Sequence, residues 1–140
     1  MGNKFYHRNK SLSLVQQKMA LIELYPEGIC SINQGVLIWS GKIKPTTISR
    51  EYNIKIMYKG FGRPKVLLVD KNIKGIDKVD FPHHYGIDKS NNTVDLCLYM
   101  NNEFDDSKLI AIYIIPWIKE WLFYYELWLS TGEWMGGGHS

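Results

Sequence analysis

Cysteine is scarce in this chain: there are two, Cys30 and Cys97, far apart and without a Cys-x-x-Cys pair. Neither a disulfide framework nor a ribbon-type zinc site is suggested, and a reduced, cytoplasmic protein is the simpler expectation. Apolar runs of membrane length are missing as well. The most hydrophobic stretch, Trp117 to Leu129, holds ten apolar residues of thirteen, whereas a helical span needs about 20. Lys119, Glu120 and Glu126 interrupt it. No secretory signal is expected, because Met1 to Lys10 is polar and basic with no apolar stretch behind it. No compact run of basic residues occurs, so a nucleic-acid partner is not expected either. Tryptophan is absent from the first 38 positions, and all five copies lie at Trp39 or later.

What is present is an ordinary globular composition: 140 residues, 45% hydrophobic and 22% charged. That length suits one domain with a real core and no covalent or metal staples. The expected division is a flexible arm over 1–12, a single domain over 13–135 and a flexible Gly-rich tail over 136–140. The formal charge of +3 hides an asymmetry, with eleven Lys/Arg against four acids in residues 1–70 and six against ten in 71–140. The lysines of the first half (Lys42, Lys44, Lys55, Lys59, Lys65) are spread along strands, as on a solvated sheet face. A Trp-rich end lying on a membrane would call for basic residues around it, and that half is acidic.

Local patterns give the element order. Ser13 and Gln16 have the spacing of a capping box, and Val15, Met19 and Ile22 repeat at i, i+4, i+7 beside Leu14, Leu21 and Tyr25. This predicts a helix from about Leu14 to Leu24, stopped by Pro26 and Gly28. Ile29 to Ile32 and Val36 to Ile43 flank the turn Asn33-Gln34-Gly35. Tyr52, Ile54, Ile56 and Tyr58 alternate with Asn53, Lys55, Met57 and Lys59, the period of a half-buried strand. Gly60 to Pro64 turns the chain into Val66 to Val69. A helix followed by four sequential strands predicts an α+β fold with an antiparallel meander. From Lys71 to Asn102 no regular period is evident, although Ile73, Ile76, Val79, Phe81, Val94, Leu96 and Leu98 are anchors that should keep this loop packed. Asp105, Asp106 or Ser107 can cap a helix over Lys108 to Ile115. Pro116 can start another from Trp117 to about Leu129, ended by Gly132.

The irregular stretch carries the candidate chemistry. Phe81-Pro82-His83-His84 precedes Val94-Asp95-Leu96-Cys97-Leu98, placing one thiol thirteen residues after His84. A cysteine has a pKa of about 8.5, and its small thiolate fraction at neutral pH is a strong nucleophile for acyl exchange. A histidine N–H can supply the donor that a tetrahedral oxyanion requires. The alternative for Cys97 is a core thiol held between two leucines. Cys30, between Ile29 and Ile32, fits core packing. His83 and His84 with Cys97 or His139 would make an incomplete zinc set, so neither metal nor cofactor is expected. Asp88 and Asp95 can orient an incoming lysine ammonium or serve as solvated loop acids. Trp121, Tyr124, Tyr125 and Trp128 suit a core, and their density also suits a partner-binding surface.

The joint order of these residues resembles the ubiquitin-conjugating enzyme (UBC) fold. Pro64-Lys65-Val66 leads into a strand, Pro82-His83 sits in a loop, and Asp95-Leu96-Cys97-Leu98 precedes a helix. Phe81-Pro82-His83 stands where the eukaryotic pattern has His-Pro-Asn, so His83 falls in the asparagine slot, and the spacing to Cys97 is longer than usual. The last third is similar to the stand-alone prokaryotic conjugating-enzyme-like proteins of cyclic-oligonucleotide-based antiphage signalling systems (CBASS, short type II). The residues that carry this are Pro116-Trp117, Trp121-Leu122, Tyr124-Tyr125-Glu126, Trp128-Leu129, Thr131-Gly132-Glu133-Trp134 and the Gly-Gly-Gly-His end. The resemblance implies a cGAS/DncV-like nucleotidyltransferase as protein partner, whose C-terminus is joined to another molecule through a thioester on Cys97, with His83 or His84 assisting. It also leaves a non-catalytic UBC-like binding module as the alternative. No adenylating or metalloprotease segment is evident, so activation would need another protein.

Overall fold

A computed structural model describes residues 10–100 and 102–136. Its elements are α1 (Leu14–Leu24), β1 (Ile29–Asn33), β2 (Val36–Ile43), β3 (Tyr52–Tyr58), β4 (Lys65–Val69), β5 (His84–Asp88), β6 (Thr93–Leu96) and α2 (Ile110–Thr131). Among the described residues the fold is α+β, with two helices and one antiparallel sheet in the order β1-β2-β3-β4-β6-β5.

The four-strand expectation is corrected to six. Residues 84–96 form a hairpin, with β6 inserted between β4 and β5. Val94 and Leu96 point into the core while Thr93 and Asp95 do not, a period of two too short to stand out in sequence. The Asp88 carboxylate closes the turn by accepting from the backbone N–H groups of Ser90 and Asn91. Asn92 takes the positive φ of 55° that the reversal requires.

The capping box at Ser13 forms as expected, with Gln16 N–H donating to Ser13 Oγ at 3.1 Å and Ser13 N–H to Gln16 Oε1 at 2.8 Å. The stripe Val15, Met19 and Ile22 nevertheless faces solvent, whereas Gln17 and Leu21 turn inward at 0% exposure. The reason lies at the start of α2. Asp105, Asp106 and Ser107 do not cap that helix, because the Asp105 carboxylate is occupied by Ser107 and Lys108. Gln17 supplies the cap from a distance: its Oε1 accepts the Ile110 N–H at 2.8 Å and its Nε2 donates to the Lys108 carbonyl at 2.9 Å. Burying an amide is tolerable only because both ends are matched, and this fixes how α1 is rotated. Residues 11 and 12 of the expected arm are tied down as well, to Asp106.

The two expected C-terminal helices are one. α2 runs through Pro116. Ile112, whose carbonyl loses its partner to the proline, and Pro116 itself lie on the exposed side, where water can satisfy that carbonyl. The inner side (Ile114, Ile115, Ile118, Trp121, Leu122, Tyr125, Trp128) packs into the core with the inward residues of the sheet. Gly132 ends the helix at φ +80°, its N–H returning to the Trp128 carbonyl at 2.8 Å.

Candidate functional site

Cys97 stands one residue past β6. Leu96 and Leu98 on either side are buried, and the alternation turns the thiol out to a half-buried position. The Cys97 backbone N–H donates to the His83 carbonyl at 3.0 Å, so the β5–β6 pairing extends one step beyond the strands. The same carbonyl accepts the Trp121 indole N–H, also at 3.0 Å. Held by these two donors, His83 adopts φ +39°, which costs a residue with a side chain about 1–2 kcal/mol. The loop before it is anchored by Phe81, whose ring packs among Trp121, Tyr125 and Trp128, and by Pro82, which is buried. Further back, Tyr125 Oη donates to the Lys74 carbonyl at 2.6 Å.

The adjacent histidines face different surroundings. The His83 ring lines the cleft that holds Cys97, together with Trp117, Glu120, Trp121 and Tyr124. His84 belongs to β5 opposite Leu96, and its ring meets Phe81 edge-on at 5.7 Å with a buried Nδ1. The structure therefore brings His83 and Cys97 together and sets His84 toward the core.

Sequence reasoning missed three neighbours of the thiol, and a fourth, Asp95, is recast. Trp134, beyond α2, folds back and stacks on the His83 ring at 4.7 Å, touching Trp121 and Tyr124 too. Tyr85 lies at a bulge: the β5–β6 register runs His84 to Leu96 and then Gly86 to Asp95, leaving Tyr85 as the extra residue. Its phenol is pushed up to about 12, first by burial and then by the neighbouring Cys97 thiol, whose sulfur itself lies 4.0 Å from the Tyr99 carbonyl. Arg63 lies over the Tyr85 ring at 4.0 Å and donates twice to the Asp95 carboxylate, at 3.1 and 3.3 Å. Arg63 and Tyr85 also wall a separate cleft of about 340 Å³ reaching to Tyr99, Asp105 and Asp106. The bulge was unreadable in sequence, whereas the glycines before Arg63, at φ +96° and +73°, were visible as a turn.

The remaining candidates fall elsewhere. Trp121, Tyr125 and Trp128 are buried, each within 3% exposure, while Tyr124 keeps part of its surface beside the cleft. Asp95 is paired with Arg63, and Asp88 is used by its own turn, so neither is poised for an ammonium ion. Cys30 lies opposite Trp39 in the sheet, and burial pushes its thiol up against the opposing pull of Lys18. Among the described residues no three His, Cys, Asp or Glu side chains converge on a metal-sized site, and His139 lies outside those residues. No described helix is long and apolar enough to cross a membrane.

A half-buried thiol with its backbone fixed and an imidazole in the same cleft form an arrangement suited to acyl exchange. A family model described as type II CBASS E2 protein matches residues 17–140. The chain belongs to that family. Membership places it among the E2-like proteins of antiphage defence, and the matched range spans every element from within α1 to the residues past α2. No curated protein matches the chain. As a CBASS E2 protein it is expected to work with other proteins of such a system.

Proposed function

We propose that this CBASS E2 protein is a cysteine-dependent acyl transferase on a UBC-like scaffold. Cys97 accepts the C-terminus of a cognate cGAS/DncV-like nucleotidyltransferase as a thioester and passes it to an amine, and this regulates second-messenger synthesis. The observation that carries the reading is the Cys97 N–H to His83 carbonyl bond at 3.0 Å, which holds the thiol and the imidazole in one cleft. His83 serves as the donor on the oxyanion side. A positioned donor of this kind contributes about 3–4 kcal/mol selectively to the transition state. Activation of the donor carboxyl falls to another protein.

The test is co-expression of the chain with its neighbouring nucleotidyltransferase and a non-reducing gel. The expected result is an adduct that thiol reagents remove, that Cys97→Ala abolishes and that Cys30→Ala leaves intact. An adduct that survives Cys97→Ala removes Cys97 as the acceptor. A second reading, a UBC-like module that binds and steadies the nucleotidyltransferase without chemistry, is favoured by Trp134, which leaves the cleft at Cys97 only about 20 Å³. Under that reading no adduct forms, and Cys97→Ala leaves binding unchanged.

A further inference from the structure

We propose that the outer face of α1 docks a second copy of this chain: Val15, Met19 and Ile22 of two helices pack in parallel about a two-fold axis, and Lys18 of each copy faces Glu23 of the other. The face is apolar because of the way α1 is turned. Gln17 and Leu21 point inward, and the Gln17 amide is held there by its bonds to Lys108 and Ile110. On the opposite side Val15, Met19 and Ile22 are left 58%, 64% and 47% exposed. A helix that buries an amide and presents its apolar stripe to solvent reverses the usual amphipathic arrangement, and such a stripe marks a surface for another protein. No residue of α1 lines the cleft at Cys97, so this surface is separate from the proposed site.

Spacing and charge together say what covers it. The steps from Val15 to Met19 and from Met19 to Ile22 are four and three residues, the alternation that keeps a two-helix seam facing its partner. In heptad terms Val15 and Ile22 are d positions and Met19 is an a position, which makes Lys18 a g position and Glu23 the following e position. In a parallel pair each g residue faces the e residue five positions further on in the other helix. Lys18 and Glu23 have that separation and opposite charge, so a two-fold pair forms an inter-chain ion pair on each flank of the seam. Neither side chain belongs to an ion pair within the chain among the described residues. An antiparallel pair would set g against g, and so the Lys18 flank of one copy against the Lys18 flank of the other. The b, c and f positions are Ala20, Leu21 and Gln17, and these pack on the chain's own interior. One helix can therefore serve the domain and the partner at once. An isolated helix of 11 residues is marginal in water, but the domain already orders this one. Three apolar side chains from each helix make an interface at the small end of the range, so the dimer is weak and reversible.

Two measurements on the full chain test this. The first follows the unmodified protein by sedimentation equilibrium up to millimolar concentration, where a reversible monomer–dimer equilibrium is expected. Lys18→Glu should weaken pairing about tenfold, since it removes two attractive contacts and creates two repulsive ones. Glu23→Lys should do the same, and the double exchange should bring the dissociation constant back to within about threefold of the parent. The second measurement fixes the orientation. In a background of Cys30→Ala and Cys97→Ala, Val15→Cys and Ile22→Cys should each form a disulfide-linked dimer alone under mild oxidation, because in a parallel pair each faces its own counterpart. Lys59→Cys, exposed elsewhere, should not. Val15, Ile22 and Glu23 lie on the solvent face of α1, so the folded monomer persists in their variants as the reference. A monomer at every concentration would assign the stripe to a different protein and overturn the proposal. Cross-linking only in a mixture of the Val15→Cys and Ile22→Cys chains would show an antiparallel pair and overturn it too, as would a double exchange that fails to restore pairing.

Discussion

His83 does two separable things, and three substitutions pull them apart. Its carbonyl accepts from Cys97 and Trp121 through the backbone, which forces φ to +39° whatever the side chain. Its ring lines the cleft and stacks on Trp134. His83→Ala keeps the unfavourable φ and loses the stack, worth about 1 kcal/mol. His83→Gly loses the same stack but relieves the backbone, so it should be more stable than His83→Ala by about 1 kcal/mol in urea unfolding. His83→Asn tolerates the left-handed conformation and restores an N–H donor. Single-turnover discharge of the Cys97 thioester to free lysine then separates the roles. Ala and Gly should both fall about 100- to 1,000-fold, the loss of one oxyanion donor, and Asn should recover to within about tenfold of the parent. Discharge by the Ala or Gly variant at the parental rate would refute the ring's role. Equal stability of Ala and Gly would refute the strain.

Three further outcomes are expected. Gln17→Leu keeps the volume but orphans the Ile110 N–H in a fully buried position, and should lower stability by about 2 kcal/mol, read as a shift of the urea midpoint at unchanged slope. Trp134→Ala should raise the reaction rate of Cys97 with a bulky maleimide severalfold while changing that with iodoacetamide less, because it removes the ring that covers the cleft. The Arg50 guanidinium holds the Asp70 carboxyl below the usual range. A lowered carboxyl contributes stability that is present above its unfolded value of about 4 and is lost as pH falls through its folded value. Asp70→Asn should therefore reduce the gap between urea midpoints at pH 7 and pH 3.

How far the chain could be read depended on whether a signal was local. The capping box at Ser13, the alternation of β3 and the glycine stop at Gly132 are set by neighbours within a few residues, and each forms where the pattern placed it. The outward stripe of α1 was invisible because its cause, the Gln17 bonds to Lys108 and Ile110, crosses some ninety positions of chain. β5 and β6 were invisible because their pairing partners lie on β4 and on each other, and each strand holds too few alternations alone. At the site, Cys97 and His83 were legible as residue types near one another in sequence. Trp134 and Arg63 were not, since only the return of the chain past α2 brings Trp134 to the cleft and only the turn before β4 sets Arg63 over Tyr85.

The cleft at Cys97 is small, and its size constrains the acyl transfer proposed there. On the His83 side the free volume is about 20 Å³, room for about one water. An acyl chain end cannot lie there while Trp134 and Gly136 pack against Tyr124. Tyr85 and Arg63 wall a separate cleft of about 340 Å³ that reaches Asp105 and Asp106, and Cys97 does not line it. On the proposed thioester reading, loading of Cys97 from the His83 side requires the 134–136 segment to leave. On that reading the aromatic stack of His83 on Trp134 acts against loading. A variant that opens it should form thioester faster without discharging it faster, and that separation distinguishes a covered donor site from a cleft that is merely small.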